Sequence, residues 1–73
     1  MIEVRVFATL RTGRDKISHF PAEENPDIAS LLKTLDIPES EAAIILINGF
    51  HSKVDSPVKD GDVVSFFPPV AGG

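Results

Sequence analysis

The chain has 73 residues, a net charge of −4 and a sequence pI near 4.9, which is enough for one small domain with a single core. The acidic balance argues against nucleic acid, whose binding depends on neutralising phosphates, and favours a basic protein partner. Because the chain has no cysteine, a disulfide framework, a thiolate metal site and a persulfide on the chain itself are excluded.

The hydrophobic content is typical of a folded, globular protein. Hydrophobic residues make up 42% of the chain and charged residues 25%, which favours a globular domain over a disordered chain. No apolar run is long enough to span a bilayer, and no charged and then apolar leader precedes the first strand. We therefore expect a cytoplasmic protein that makes no membrane contact.

Two strands are predicted in the first twenty residues. Residues 2–6 alternate apolar and charged side chains, which is the period of a half-buried strand. Three apolar side chains are expected to face the core and three others the solvent: Ile2, Val4 and Val6 inward, and Glu3, Arg5 and Phe7 outward. A turn at residues 12–15 then leads to a short returning strand over residues 16–20, at an edge of the sheet.

A helix is predicted to follow the sequence Asn25-Pro26-Asp27. Either Asn25 or Asp27 can cap the free amides, and Pro26 suits the first turn. The apolar stripe has the helical spacing i, i+3, i+4 and i+7, at Ile28, Leu31, Leu32 and Leu35. Because Pro38 cannot continue the helix, we expect about ten to twelve residues ending near residue 35 or 36.

Three strands and two tight turns are predicted in the second half of the chain. Residues 43–47 form an apolar run rich in isoleucine, which indicates an interior strand. Asn48-Gly49 is a strong hairpin signal, and residues 50–54 would be the returning strand. A further turn at residues 60–62 leads to the last strand, over residues 63–67.

The order of these elements is β-β-α-β-β-β, with one helix packed across a mixed sheet. This is the β-grasp (ubiquitin-like) arrangement, an α+β fold in which the first and last strands are adjacent and parallel. We predict that residues 1–67 form this domain and that residues 68–73 form a flexible, extended tail.

The last strand is expected to place an aromatic side chain on each face of the sheet. If Phe66 faces the core, alternation turns Ser65 and Phe67 outward. Phe67 would then stand near Phe7, and two outward phenylalanines would form an apolar patch that binds a partner. The alternative is that a loop or the helix covers one of the two rings.

Steric bulk decreases along the tail. Its six residues are Pro68, Pro69, Val70, Ala71, Gly72 and Gly73. The two prolines fix their φ angles and favour an extended exit from the sheet. The glycines have no Cβ, so the carboxylate of Gly73 can enter a channel too narrow for a side chain.

The other polar residues do not suggest a catalytic or metal site. His19 and His51 have no partner at a metal-ligand spacing, and the serines lack the surroundings of a nucleophile elbow. Residues 13–16 lack the spacing of a phosphate-binding loop, and Asp60 and Asp62 are explained by turn chemistry. We therefore predict that the chain is no independent enzyme and that the carboxylate of its terminus is the reactive group.

The sequence resembles the MoaD/ThiS family of sulfur carriers, and within it the MoaD small subunits of molybdopterin synthase. The strongest match is FFPPVAGG at residues 66–73, preceded by DGDVV at residues 60–64. The opening VRVFATLR at residues 4–11, the helix at residues 28–35 and Asn48-Gly49 also fit. The two prolines of the tail favour MoaD over the thiamin carriers.

This resemblance implies a chemistry and a set of partners. A MoeB-like activating enzyme would use ATP to adenylate the Gly73 carboxylate, and a sulfur donor would displace AMP to leave a thiocarboxylate. The sulfur would pass to a pterin precursor in a MoaE-like large subunit, within a heterotetramer of two small and two large subunits, for the dithiolene that binds molybdenum or tungsten. The chain itself would bind no cofactor or metal. The implied partner contacts are Phe7, Phe67, Pro68, Pro69, Val70, Ala71 and Gly72.

Two other functions fit the same terminus. A ubiquitin-like modifier would be joined through Gly73 to lysines of other proteins. A carrier for thiamin thiazole or amino-acid biosynthesis would keep the sulfur chemistry and change only the recipient. The sequence leaves both alternatives open.

Overall fold

Five strands and one α-helix form the part of the chain that the structure, a computed structural model, describes, residues 1–69. The elements in chain order are β1 (Ile2–Val6), β2 (Ile17–Phe20), α1 (Ile28–Leu35), β3 (Ile44–Ile47), β4 (Phe50–His51) and β5 (Val63–Phe67). Three short 3-10 helices lie between them, at Ala8–Arg11, Ala22–Glu24 and Glu39–Glu41. Within residues 1–69, no helix is both long enough and apolar enough to cross a membrane.

The strands form one mixed sheet in the order β2-β1-β5-β3-β4. The central strands β1 and β5 are parallel, with Val4 opposite Val64 and Val6 opposite Phe66. The other three pairings are antiparallel, and β2 lies at an edge. The predicted β-grasp fold, with adjacent and parallel first and last strands, is therefore confirmed.

Helix α1 packs on one face of this sheet and closes the core. The most deeply buried apolar side chains of the sheet and the helix are Ile2, Val4, Val6, Val64, Phe66, Ile28, Leu31 and Leu32. Leu35, the last position of the predicted stripe, is half-buried and packs against this cluster. The strand and helix periods therefore identified this part of the core correctly, while Leu10, Ile37 and Val58 join it from the connecting segments.

The helix has eight residues rather than the predicted ten to twelve. Asp27 is its N-cap, and Pro26 therefore precedes the helix instead of lying in the first turn. One carboxylate oxygen of Asp27 accepts the Ser30 amide at 2.9 Å and also the Ser30 hydroxyl. Hydrogen bonds from this hydroxyl and amide hold the pKa of Asp27 below its usual value of 3.8.

The helix ends at residue 35, as predicted, through a cap that the sequence did not reveal. Asp36 adopts the left-handed conformation, with φ of 58°. The Arg14 guanidinium donates to the carbonyl oxygens of Leu35 and Asp36, at 3.1 and 2.9 Å. A side chain from the segment before β2 thus completes the last turn. The cap residue, Asp36, lies two residues before Pro38.

The fourth strand is shorter than predicted, with only Phe50–His51 in place of residues 50–54. After it, the chain leaves the sheet and runs to the start of the helix. There the amide of Ala29 donates to the Val54 carbonyl at 2.9 Å, and the amide of Ile28 donates to the Ser56 carbonyl at 3.1 Å. These residues satisfy amides that a helix cannot bond internally, and that role removes them from the strand.

The hairpin between β3 and β4 forms at the predicted Asn48-Gly49. Both residues have positive φ, at 52° and 86°, as a tight two-residue hairpin requires. The Asn48 side chain also donates to the Asp62 carboxylate at 3.0 Å and accepts the Val63 amide at 2.9 Å. Asp62 is 6% exposed and accepts the Lys59 amide, so its role is structural, as the turn interpretation predicted.

Candidate functional site

Two phenylalanine rings stack on the face of the sheet opposite the helix. Phe7 follows β1 directly and Phe67 is the last residue of β5, so the parallel pairing of these strands places them side by side. Their ring centroids lie 4.3 Å apart and their planes differ by 8°. Both side chains are half-buried. The predicted proximity of the two rings is confirmed, and α1 covers neither of them.

The 3-10 helix at Ala8–Arg11 places a cation on this stack. Ala8 has φ of 54°, a conformation that turns the chain sharply after Phe7. The Arg11 guanidinium lies 5.3 Å from the centre of the Phe7 ring, and its Nε donates to the Val6 carbonyl at 2.9 Å. The sequence prediction missed this cation–π contact, because Arg11 returns to the Phe7 ring only through the turn at Ala8.

Two isoleucines extend the apolar surface on either side of the stack. Ile44 pairs with Phe67 across β3 and β5, and Ile17 pairs with Arg5 across β1 and β2. Their side chains are 38% and 45% exposed. We call this surface, made by Phe7, Phe67, Ile17 and Ile44, the open face. The sequence prediction missed both isoleucines, although alternation applied to β2 and β3 would have placed them there.

Charged side chains lie on the same side of the sheet as the open face. Glu3 accepts a hydrogen bond from Arg5 Nε at 2.6 Å, and His19 Nε2 lies 3.4 Å from the other carboxylate oxygen. The hydrogen bond from Arg5, assisted by His19, holds the pKa of Glu3 below its usual value of 4.5. His19 therefore belongs to a polar cluster with Glu3 and Arg5 on this face. Across residues 1–69, no group of three or more potential ligands could hold a metal ion.

Two surface pockets lie at opposite ends of β1. The pocket beside the aromatic stack has a volume of about 210 Å³ and is lined by Arg5, Phe7, Arg11, Lys16 and Ile17. The other, of about 390 Å³, is lined by Met1, Pro21, Ala22, Glu23 and Asp60, and there the N-terminal amine pairs with the Asp60 carboxylate. Only the first pocket shares residues with the open face.

The predicted tail begins directly at the stack. Pro68 and Pro69 follow the last residue of β5, and Pro68 is half-buried while Pro69 is exposed. Val70, Ala71, Gly72 and Gly73 lie outside the described residues, and their assigned roles stay predictions. The same holds for the division of the chain into a domain at residues 1–67 and a tail at residues 68–73.

Comparison with known families gives one match that spans almost the whole chain. The ThiS family model matches residues 4–73, which include the stack, the two prolines and the terminal glycines. No curated protein gives a significant match.

Solved structures provide two similar proteins from a molybdopterin context. The complex of subunits 1 and 2 of the molybdopterin-converting factor from Helicobacter pylori contains a chain with 31% identity and a TM-score of 0.64, over 99% of this chain and 97% of that one. A putative molybdopterin converting factor subunit 1 from Pyrococcus furiosus has 29% identity and a TM-score of 0.66, over 94% and 97% of the two chains.

A third similar structure has a different description. Small archaeal modifier protein 1 from Haloferax volcanii has 20% identity and a TM-score of 0.76, over 94% of this chain and 97% of that one. At this level of identity, the likeness shows the shared fold alone.

Proposed function

The chain belongs to the ThiS family, and we propose that it is the sulfur-carrier subunit of a molybdopterin synthase, with sulfur held as a thiocarboxylate on Gly73. Members of this family are small sulfur carriers or ubiquitin-like modifiers that are generally not catalytic by themselves. The observation that carries the proposal is the stack of Phe7 on Phe67 at the root of the tail. It supplies an apolar docking surface at the point where the residues expected to reach the partner begin.

The choice of the molybdopterin pathway is supported by sequence identity. Two proteins described as parts of a molybdopterin converting factor are 31% and 29% identical to this chain. The modifier protein of Haloferax volcanii is 20% identical. Because the fold is common to all of them, fold similarity does not discriminate between these functions. The proposal follows the two molybdopterin-related proteins because they share more identical residues with this chain than that modifier protein does.

The proposed chemistry requires activation of the Gly73 carboxylate. A free carboxylate is a poor electrophile, so an oxygen of Gly73 first attacks the α-phosphorus of ATP in the activating enzyme, which releases pyrophosphate and leaves an acyl adenylate. A hydrosulfide equivalent from the sulfur donor then attacks the carbonyl carbon and expels AMP. The product is a thiocarboxylate, and the chain serves as a co-substrate of the synthase.

Binding energy from the open face would offset the ordering of the tail. Fixing four residues beyond Pro69 costs about 4–8 kcal/mol of backbone entropy. Removing the exposed parts of Phe7 and Phe67 from water contributes about 25 cal/mol per Å² of apolar surface, and the prolines limit how much of the chain must be ordered. A partner that covers the stack therefore favours insertion of the tail.

Intact-mass measurement tests the sulfur chemistry directly. The purified chain is incubated with its activating enzyme, ATP and a sulfur donor, and we expect one oxygen of Gly73 to be exchanged for sulfur. Transfer is then measured after addition of the large subunit and the pterin precursor. If no thiocarboxylate forms with any cognate activating enzyme, the proposed function is wrong.

Substitution at the terminus tests the narrow-channel argument. Gly73→Val, or one residue added after Gly73, should abolish transfer while circular dichroism shows an unchanged fold, because a side chain at this position blocks the channel. The matched control is one residue added before Met1, which should leave transfer intact. Retained transfer by Gly73→Val would contradict the argument.

Blotting of cell extracts separates the carrier from the modifier. Conjugation through Gly73 to lysines would give a ladder of heavier covalent adducts, and a dedicated carrier gives only the free chain. Copurification with the large subunit of molybdopterin synthase supports this pathway over thiazole or amino-acid biosynthesis. An adduct ladder without such copurification would favour the modifier.

A further inference from the structure

A cationic pocket adjoins the aromatic stack and has no role in the sulfur chemistry described above. It lies between β1, the 3-10 helix at Ala8–Arg11 and the start of β2. Phe7 and Ile17 form its apolar walls, and its cationic side chains come from Arg5, Arg11 and Lys16. The amide of Val6 donates to the Lys16 carbonyl at 3.0 Å, so the two sides of the pocket are joined by the backbone.

The charge at this pocket is opposite to the charge of the whole chain. Three of its five lining residues are basic and none is acidic, and the Glu3 carboxylate paired with Arg5 reduces the local charge from +3 to +2, in a chain of −4. The overall acidity suggested a basic partner. At the surface that would contact the partner, the local charge favours acidic groups instead.

The hydrogen bonds of the three cations leave donor groups available for a ligand. Arg5 uses Nε on the Glu3 carboxylate, and Arg11 uses Nε on the Val6 carbonyl. Within residues 1–69, the terminal nitrogens of Arg11 and the Lys16 ammonium have no hydrogen bond or ion pair with the protein. Two of the three cations are therefore free to meet a carboxylate.

We propose that this pocket receives an aspartate or glutamate side chain from the protein that covers the aromatic stack. The inference rests on the proposed function, because that partner is the large subunit that accepts the tail. Phe7 lines the pocket and also forms the stack, so one partner surface can contact both. The stack provides the apolar part of the interface, and the pocket provides an orienting charge pair at its edge.

The size of the pocket favours a side chain over a small-molecule ligand. Its volume of about 210 Å³ lies below the range of roughly 300–1,000 Å³ that is usual for small-molecule sites. The space is ample for a carboxylate and its methylene groups. A partner carboxylate would pair there with cations beside an apolar ring.

Charge reversal with a matched control tests the proposal. Lys16→Glu and Arg11→Glu are compared with Lys53→Glu, which makes the same change as Lys16→Glu in the exposed loop after β4. Binding to the purified large subunit is measured by calorimetry at about 50 mM and about 500 mM salt, where screening differs strongly. We expect the first two variants to bind about 10-fold more weakly or worse at low salt, with a reduced salt dependence. Lys53→Glu should bind like the wild type.

The partner's acidic residue is then identified by a reciprocal exchange. Each exposed aspartate or glutamate of the large subunit is changed to lysine, and one such change should restore binding to Lys16→Glu. Equal affinity of all three variants at both salt concentrations would overturn the inference and leave the proposed function intact. Tighter binding by Lys16→Glu and Arg11→Glu would also overturn it. That result would indicate that the pocket holds the chain's own terminal carboxylate, which these substitutions would release for the partner. Failure of the wild type to bind the large subunit would overturn both proposals.

Discussion

Adjacent residues of β5, Phe66 and Phe67, show how differently the two faces of the sheet are used. Phe66 is 0% exposed and lies under α1, in contact with the main core. Phe67 faces the other way, where it stacks on Phe7 and remains half-buried. Because side chains alternate along a strand, these two neighbouring phenylalanines lie on opposite faces of the sheet. Within residues 1–69, only the face that carries Phe66 is covered by other elements of the chain.

The contrast shows that a small β-grasp domain can have an apolar surface that its own helix does not cover. The inner face is covered by the eight-residue helix together with buried side chains of the connecting segments, such as Leu10, Ile37 and Val58. The open face has its own aromatic stack and flanking isoleucines, and cationic side chains lie beside it. A face of this composition is typical of a protein interface, with an apolar centre and a charged rim.

The largest effect is expected on the inner face. Phe66→Ala should reduce the free energy of unfolding by about 3–5 kcal/mol, because it leaves a cavity in a closed core. Urea unfolding should be followed by far-ultraviolet circular dichroism, since the chain has no tryptophan or tyrosine. If the alanine variant does not fold, Phe66→Leu can be measured in its place. It leaves a smaller cavity and should be less destabilising. If Phe66→Ala reduced the free energy of unfolding no more than Phe67→Ala does, the contrast between the two faces would be wrong.

A substitution on the open face should mainly weaken the binding of the partner. Phe67→Ala should weaken association with the large subunit by about 1–3 kcal/mol, because a central apolar contact is lost. Its effect on folding should be smaller, about 1 kcal/mol, from the lost stack. The matched control is Phe50→Ala at the hairpin, where the ring is 74% exposed and away from the stack, and neither quantity should change by more than about 0.5 kcal/mol. Unchanged affinity of Phe67→Ala would remove this residue from the interface.

The smallest effect concerns the helix that covers the inner face. The pKa of Asp27 is lowered in the folded state, so its stabilising contribution is complete above the usual value of 3.8 and is lost as the pH falls through the lower folded value. The melting temperature of the wild type should therefore fall below about pH 4, and Asp27→Asn should flatten this part of the profile. The pKa of Glu3 is also lowered, so Glu3→Gln is measured in parallel to separate its contribution to the pH profile from that of Asp27. An unchanged profile for Asp27→Asn would contradict the capping role.

Much of the fold and part of the site could be predicted from local pattern. Alternation in β1 and β5 identified the buried valines and placed Phe7 and Phe67 on the outer face. Arg11 could not be placed from strand periodicity, because its position depends on the left-handed turn at Ala8. The pocket joins Arg5, Arg11 and Lys16 from three successive segments, and their charges were visible in the sequence while their convergence was not.

By itself, the sequence determined the periods of the strands and the helix, the tight turns and the residues of the tail. These follow from local chemistry, such as the positive φ that Asn48-Gly49 accepts and the fixed φ of Pro68 and Pro69. Only the tertiary structure decided where β4 stops, because residues 54–56 are needed as acceptors for the first amides of α1. It also decided that Phe7 meets Phe67, since a parallel pairing brings together the ends of two strands more than fifty residues apart.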